Sequence, residues 1–109
     1  MANTYKILGQ INPASATEDI LYTVPGSVSV VCSSIVVCNW GSGDSSFRIS
    51  CSYNLTPTDI KDYIYYDVAI AGNDTFIATI GITLGENWDI RVYSNNNKLS
   101  YSLFGTEIT

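Results

Sequence analysis

Apolar and polar residues alternate along several short segments of this chain, and turn-forming residues separate those segments. Segment 46–53 is the clearest, because Phe47, Ile49, Cys51 and Tyr53 occupy one side of an extended chain and Ser or Arg occupies the other. Alternation with a period of two residues is typical of a β-strand that has one face in the core and one in solvent. Clusters of Gly, Asn, Asp and Ser recur between such segments, so the pattern predicts an all-β protein.

Eight strands are expected from this pattern, and no segment has the periodicity of a long helix. We predict strands at Tyr5–Ile11, Asp19–Val24, Ser29–Trp40, Ser46–Tyr53, Tyr63–Ile70, Thr75–Leu84, Trp88–Ser94 and Leu99–Glu107. One short helical turn is expected after the fourth strand, with Thr56 as its N-cap and Pro57 at its first position. Residues 1–109 are therefore expected to form a single-domain antiparallel β-sandwich, specifically an eight-stranded jelly roll, with a short N-terminal arm.

The apolar side of each strand identifies the residues expected in the core. They are Val30 or Val31, Ile35, Val37, Phe47, Ile49, Cys51, Ile80, Ile82, Ile90, Val92 and Leu103. A chain of 109 residues is long enough to bury one such core, although a domain of this size keeps a large share of its surface in water.

Charge is sparse and scattered along the chain. Charged residues make up 14% of the sequence, with five basic against ten acidic residues and a net charge of −5. The basic residues form no cluster, so we expect neither nucleic-acid binding nor attachment to an anionic membrane, both of which need concentrated positive charge. Low charge together with eight Tyr residues favours a surface that is partly covered by other subunits.

The three cysteines are expected to be free thiols. Cys32 and Cys38 lie an even number of residues apart in one predicted strand, so they should share a face, about 20 Å apart and too far to bridge. Cys51 lies on another strand and is within conceivable reach of either. An odd number of cysteines does not suit a disulfide framework. Residues 1–8 also lack the pattern of a secretory signal, so we expect synthesis in a reducing cytoplasm.

No catalytic or metal-binding pattern is recognisable. The chain contains no His, which excludes Ser–His and Cys–His pairs, and its cysteines lack the short spacing of a zinc site. Paired carboxylates remain, either Asp62 with Asp67 or Asp89 with Glu86, but a small sandwich seldom forms the cleft that two-carboxylate catalysis needs. We therefore expect no enzymatic activity, no cofactor and no metal.

A cluster of tyrosines in the fifth strand supports two interpretations. Alternation places Tyr63 and Tyr65 on one face of the strand and Tyr66 on the other. Rings at alternate positions suit stacking on a sugar or a peptide. The same rings also suit a strand with one face in the core and the other at a subunit interface. We favour this second interpretation, because interfaces are rich in Tyr. Asp67, in the same strand, is expected to pair with Arg91.

Several stretches of the chain, taken in order, resemble a known family. They are Lys6–Pro13, Leu21–Pro25, Ser33–Asn39, Phe47–Ser50, Tyr63–Asp67, Ile70–Phe76 and Leu103–Thr109. Together they resemble small virion structural proteins of tailed bacteriophages of the marine and cyanobacterial type, and through them capsid decoration (cement) proteins. The Gly-rich segment Trp40–Asp44 departs from the family pattern, which leaves the shape of that loop open.

The resemblance implies a role outside catalysis. Decoration proteins assemble as trimers on the outside of the phage head and clamp neighbouring copies of the major capsid protein. The resemblance therefore implies a homotrimer on the outer surface of the virion; a tail, fibre or carbohydrate-binding component is the alternative that it leaves open. Candidate interface residues are those of the N-terminal segment, two loops and the tyrosine cluster: Tyr5, Lys6, Trp40, Asp44, Asn54, Tyr63 and Tyr65.

Overall fold

The protein is a sandwich of two four-stranded antiparallel sheets, as a computed structural model that describes residues 2–109 shows. The strands are β1 (Asn3–Ile11), β2 (Thr17–Thr23), β3 (Ser29–Asn39), β4 (Ser45–Tyr53), β5 (Tyr63–Ile70), β6 (Thr75–Leu84), β7 (Trp88–Ser94) and β8 (Leu99–Ile108). The bounds of β5, β6 and β7 are those predicted, and the other strands differ by one or two residues at one end or, for β2, at both ends.

The strand order is that of a jelly roll. Sheet I has the order β1-β8-β3-β6, and sheet II has the order β2-β7-β4-β5. The chain crosses between the sheets at every connection except the hairpin from β4 to β5. This arrangement of eight strands in two sheets confirms the predicted fold class.

The core lies between the two sheets and is centred on Phe47. This side chain is fully buried, and its ring packs against the rings of Phe76, Tyr65 and Tyr101 at centroid distances of 5.1, 6.3 and 6.5 Å. The buried apolar residues include most of those predicted: Val30, Ile35, Val37, Phe47, Ile49, Ile90, Val92 and Leu103. Three further predicted residues, Cys51, Ile80 and Ile82, are only partly buried against this core.

The prediction that Cys32 and Cys38 share a face is wrong. The pairing of β3 with both of its neighbours shifts register between Cys32 and Ser34, which is the signature of a β-bulge. The extra residue reverses the alternation, so Cys32 is buried in the core while Cys38 lies on the outer face of sheet I. The same strand settles the choice left open for the core, since Val30 is buried and Val31 faces outward.

The prediction that Tyr63 and Tyr65 share a face is also wrong. Tyr63 lies opposite Ser50, and Tyr65 lies opposite Ile49, so one extra residue of β5 separates them. This irregularity turns Tyr65 inward, where its ring lies 5.3 Å from that of Phe76, and leaves Tyr63 on the outer face of sheet II.

One short 3-10 helix, Ile60–Asp62, follows β4, and its cap is Asp59 rather than the predicted Thr56. The Asp59 carboxylate accepts a hydrogen bond from the backbone amide of Asp62, while the Asp62 carboxylate accepts one from the Asp59 amide. This reciprocal pair is a capping box. The Thr56 hydroxyl instead donates to the Tyr53 carbonyl, which closes the turn after β4.

The N-terminal segment is part of sheet I rather than an arm. Residues from Asn3 onward pair with β8, and the backbone of Ala2 hydrogen-bonds with that of Thr109. The described N-terminal residues therefore form an edge of the sandwich.

Candidate functional site

Among the described residues 2–109, no charged side chain lies on the outer face of sheet I. Residues directly opposite each other in an antiparallel sheet share a face, so the register of the four strands identifies this surface. We call it the uncharged face. Its residues form successive rows across the sheet, each given in the order β1, β8, β3 and β6: Tyr5, Thr106, Val31 and Thr83; Ile7, Phe104, Ser34 and Thr79; Gln10, Ser102, Val36 and Ile77; and, without a β1 residue, Ser100, Cys38 and Thr75. Aliphatic and aromatic groups alternate there with hydroxyl and amide groups.

Large apolar groups of the uncharged face are open to solvent at both of its edges. Tyr5 and Ile7 on β1 are 80% and 50% exposed, and Ile77 on β6 is 67% exposed. The edge strand β6 also contains no charged residue and no Pro. Charged residues and Pro usually protect the edge strands of a sheet against association with other chains. Because β6 has neither, this side of sheet I has the composition of a contact surface.

The outer face of sheet II concentrates charge instead. We call it the charged face; its residues are Glu18, Tyr93 and Arg48, then Ile20, Arg91, Ser50 and Tyr63, and then Thr23, Asp89 and Ser52. The Arg48 guanidinium lies between the rings of Tyr66 and Tyr93, 4.4 and 4.5 Å from their centroids. It also donates to both carboxylate oxygens of Asp67, at 2.6 and 3.3 Å, and this pairing raises the pKa of Arg48.

A buried ion pair lies beside this stacked arginine. Arg91 donates to both oxygens of Asp89, at 2.7 and 3.4 Å, and only 6% and 1% of these two residues is exposed. A third donor of Arg91 reaches the Thr58 hydroxyl at 2.9 Å. The predicted pairing of Asp67 with Arg91 is therefore wrong, because Asp67 belongs to β5 and meets Arg48 on the adjacent strand β4.

Residues 54–62 cover part of the charged face and create a groove there. Thr58 links this segment to β2 by donating to Glu18 at 2.7 Å, and Asp62 links it to β4 by accepting from Ser52 at 3.0 Å. A pocket of about 590 Å³ lies between the segment and the sheet. A second pocket of about 500 Å³ adjoins the first at Thr58 and Tyr63, which line both, and we call the two pockets together the groove.

The candidate interface residues are dispersed over the molecule. Tyr5 lies on the uncharged face, and Lys6, its neighbour in sequence, forms an ion pair with Glu107 at 3.4 Å. Trp40 is half exposed, and the Lys98 ammonium lies 4.5 Å from the centre of its ring. Asp44 and Asn54 are exposed loop residues at different positions.

Of the two candidate tyrosines in β5, only Tyr63 reaches the outer surface, where it borders both pockets. Its ring packs edge-on against Tyr66, with 4.8 Å between the centroids. Tyr65 lies against Phe47 and Phe76 in the core.

The Gly-rich loop after β3, residues 40–44, is organised by the fully buried side chain of Asn39. Its amide nitrogen donates to the carbonyl oxygens of Gly43 and Ile70, and its amide oxygen accepts from the Gly41 amide. One buried side chain thus fixes the shape of the loop that the sequence left open.

The carboxylates considered for catalysis are each bound by donors from other residues. Asp62 accepts from Ser52 and Lys61, Asp67 and Asp89 accept from arginines, and Glu86 accepts from the amide of Ser27. The hydrogen bond from the Asp59 amide, assisted by Lys61 and Ser52, lowers the pKa of Asp62. Within residues 2–109 no group of three or more metal-ligating side chains is assembled, and no helix there is long and apolar enough to cross a membrane.

All three cysteines are free thiols in the structure. Burial and the nearby Cys51 raise the pKa of Cys32 to about 11. Burial also raises the pKa of Cys51. Tyr22 is another buried group at the rim of the core; its hydroxyl donates to Glu107 at 2.6 Å, which lowers the pKa of the Glu107 carboxyl.

Sequence reasoning missed the arginine–tyrosine arrangement on the charged face. Alternation alone places Arg48 on the polar side of β4, but the ring of Tyr93 comes from β7 and the carboxylate of Asp67 from an irregular position of β5. No spacing along the chain signals those two pairings.

Compared with protein-family models and with curated proteins, the chain matches none of them.

Proposed function

We propose that the protein is a non-enzymatic structural component of a bacteriophage virion, specifically a decoration protein that binds the outside of the head and stabilises the lattice of the major capsid protein. The observation that carries this proposal is the segregation of side chains between the two sheets, with one face free of charge and the other rich in it. The sequence resemblance to phage decoration proteins points in the same direction.

The uncharged face is the surface through which copies of this chain associate into a homotrimer. Each copy carries a net charge of −5, so copies repel one another, and the repulsion is weakest where the contact excludes the acidic groups. The uncharged face meets that condition, and its burial requires no desolvation of an ion.

The uncharged face supplies part of the area that a trimer needs. Four strands about 4.8 Å apart, each of about ten residues at roughly 3.3 Å per residue, present on the order of 600 Å². A standard protein interface buries roughly 800 Å² on each partner, and each subunit of a trimer contacts two neighbours, so this face supplies roughly a third of the area of two such interfaces. Exposed apolar side chains, including Ile7 and Ile77, lie at the two edges of the face, where the two neighbours would meet it.

A charge placed in the middle of the uncharged face tests the trimer. We expect light scattering to give a mass of about 36 kDa, three times the 11.9 kDa of one chain, in keeping with closed cyclic assembly. The Val36→Lys variant should be monomeric, since association would bury an unpaired ammonium. Thr23→Lys, which adds the same charge to the charged face, is the matched control and should remain trimeric. A wild-type monomer at micromolar concentration, or a trimeric Val36→Lys protein, contradicts this assembly.

Heating of virions tests the decoration role itself. A protein that binds only the assembled lattice stabilises it by mass action, and a trimer multiplies that effect through several simultaneous contacts. Virions that lack the protein should therefore assemble but release DNA, detected with a dye, at a lower temperature than wild-type virions. Added wild-type protein should restore the release temperature, whereas the Val36→Lys variant should not.

The groove on the charged face favours one competing function, that of a tail, fibre or receptor-binding component. The same virions distinguish the two. If release temperatures are equal and adsorption to the host is lost, the decoration role is wrong and the receptor-binding role replaces it.

A further inference from the structure

The groove on the charged face has the dimensions and lining of a small-molecule site. Its main pocket, about 590 Å³, is lined by Glu18, Ile20, Arg48, Tyr63 and Tyr93 together with Thr58 and Arg91. Volumes between roughly 300 and 1,000 Å³ are typical of ligand pockets. Rings, hydroxyl groups and planar charged groups all face the same space, so the site offers both apolar contact and directional hydrogen bonds.

Both arginines in the groove are already neutralised. Arg48 is paired with Asp67 through two hydrogen bonds, and Arg91 is paired with Asp89 in the same bidentate way. Glu18 adds a further negative charge 3.7 Å from Arg91. An anion would therefore meet no free positive charge, and a phosphate or a carboxylate is a poor ligand for this site.

The buried pair has no evident value for stability. Replacing a buried ion pair by apolar residues is often neutral or stabilising, because the desolvation of two charges is costly. Arg91 and Asp89 nevertheless lie almost fully buried on the outer face of a sheet, beneath the groove. Asp89 fixes Arg91, and Arg91 in turn binds the Thr58 hydroxyl and so holds residues 54–62 over the sheet, which is what a preformed site requires.

Three of the seven described residues other than Gly that have a positive φ lie near the groove, and one of them, Leu55, lines it. Asn54, Leu55 and Asp67 have φ angles of 37°, 63° and 50°, in the left-handed region that side chains other than Gly rarely adopt. Strained residues of this kind cluster at binding sites. Leu55 is also 76% exposed, so an apolar side chain stands free at the lip of the main pocket.

We propose that this groove binds a neutral saccharide. A sugar ring has an apolar C–H face, which suits the rings of Tyr63 and Tyr93, and a rim of hydroxyl groups that both donate and accept hydrogen bonds. The Nη1 donors of Arg48, which Asp67 does not use, and the Glu18 carboxylate, which also lines the pocket, are available to bond such hydroxyls. The site lies on the sheet opposite the uncharged face, so it stays open when copies associate, and it does not depend on the decoration role.

The test is a titration of isotope-labelled wild-type protein, followed by amide NMR, with the methyl glycosides of glucose, galactose and mannose and with N-acetylglucosamine. N-acetylneuraminic acid and glucosamine serve as charged comparators. We expect saturable shifts with at least one neutral sugar, centred on Ile20, Thr58 and Tyr63. No saturable shift at concentrations up to about 0.1 M, far above a millimolar Kd, overturns the proposal. Shifts confined to other residues, or binding of a charged comparator alone, overturn it equally.

Three variants tie the binding to the groove. Tyr63→Ala should weaken the affinity at least about tenfold, whereas Tyr63→Phe, which keeps the ring, should stay within about threefold of wild type. Tyr53→Ala removes a partly exposed ring that lies against Trp88, away from the groove, and should leave the affinity unchanged. The amide spectra report whether each variant is folded. Equal affinities for Tyr63→Ala and Tyr53→Ala contradict the proposed site. The oligomeric state and the release temperature of virions are separate measurements, so failure of either proposal is recognised independently of the other.

Discussion

The carboxylate of Asp62 connects residues 54–62 to sheet II through hydrogen bonds that it accepts, and only its ionised form accepts all of them. It accepts from the Ser52 hydroxyl at 3.0 Å, from the Asp59 amide at 2.9 Å and from Lys61 at 3.1 Å. These donors hold the pKa of Asp62 below its ordinary value of 3.8. Its contribution to stability is therefore complete above pH 3.8 and is lost as the pH falls through the lower pKa of the folded state.

Replacing this carboxylate should remove the associated pH dependence. We expect Asp62→Asn to lower the free energy of unfolding by about 1 kcal/mol near neutral pH, the usual cost of weakening a cap and its hydrogen bonds. The difference from wild type should shrink as the pH is lowered below 3.8. Urea unfolding at fixed protein concentration, followed by tryptophan fluorescence, measures both quantities. Asp44→Asn, in an exposed loop, controls for the loss of one negative charge; a constant difference between Asp62→Asn and wild type at every pH contradicts this assignment.

Phe47 lies at the centre of the core and packs against three other aromatic rings. Its ring contacts rings from β5, β6 and β8, so truncation leaves a cavity bordered by both sheets. We expect Phe47→Ala to lower the free energy of unfolding by about 3–5 kcal/mol. Ile60→Ala, at a position 86% exposed, should change it by less than about 0.5 kcal/mol. Similar melting temperatures for the two variants would mean that β4 faces the other way.

At the level of elements, the close contact of β8 with β3 depends on one glycine. A Cβ added at Gly105 would collide with the carbonyl oxygen of Val31 and would lie 2.8 Å from Cδ1 of Leu8. Both obstacles belong to strands that pair with β8, so the added methyl group has no free direction. Gly105→Ala should therefore cost about 1–3 kcal/mol of stability, or prevent folding altogether.

A second glycine provides the comparison for Gly105. A Cβ at Gly43, in the loop after β3, meets nothing within 4 Å. Thermal unfolding followed by circular dichroism should show a large loss for Gly105→Ala and almost none for Gly43→Ala. Equal melting temperatures would show that β8 can move away from β3 without penalty.

The alternation of apolar and polar residues predicted the strands and the sandwich because burial on one face repeats every second residue. It failed where strands contain an extra residue. The irregularities near Ser33 in β3 and Ile64 in β5 each reversed the faces of the residues beyond them, which separated Cys32 from Cys38 and Tyr63 from Tyr65. Register between strands depends on contacts distant in sequence, so a single strand gives no sign of it.

The candidate site was predictable only in part, for the same reason. Tyr63 was identified from the tyrosine cluster, and it does border the groove. Arg48 and Tyr93 were not identified, because they become neighbours only through the pairing of β4 with β7. The capping residue was displaced from Thr56 to Asp59, since both residue types suit an N-cap and only the reciprocal bond with Asp62 decides between them.

For the whole molecule, the separation of charge between the two sheets determines how association should respond to salt. If copies meet through the uncharged face, no ion pair is lost when salt is added, while the repulsion between copies of net charge −5 is screened. The trimer should then be at least as stable at about 0.5 M salt as at about 0.01 M. At the lower concentration the repulsion between charges still acts over roughly 30 Å. Analytical ultracentrifugation at both ionic strengths measures this. Dissociation at high salt would place ion pairs in the interface and contradict association through the uncharged face.

The pairing of residue 2 with residue 109 has a consequence for how this chain folds. The Ala2 amide donates to the Thr109 carbonyl at 3.1 Å, and the Thr109 amide donates to the Ala2 carbonyl at 2.9 Å. The pairing of β1 with β8, in which Asn3 lies opposite Ile108, therefore joins residues near opposite ends of the chain. A short linker from residue 109 to residue 2, with the chain opened in the exposed loop at Ala14 and Ser15, would convert this pairing into a simple hairpin. Because local pairings close at a lower entropic cost, such a circular permutant should reach the same fold faster than the original chain.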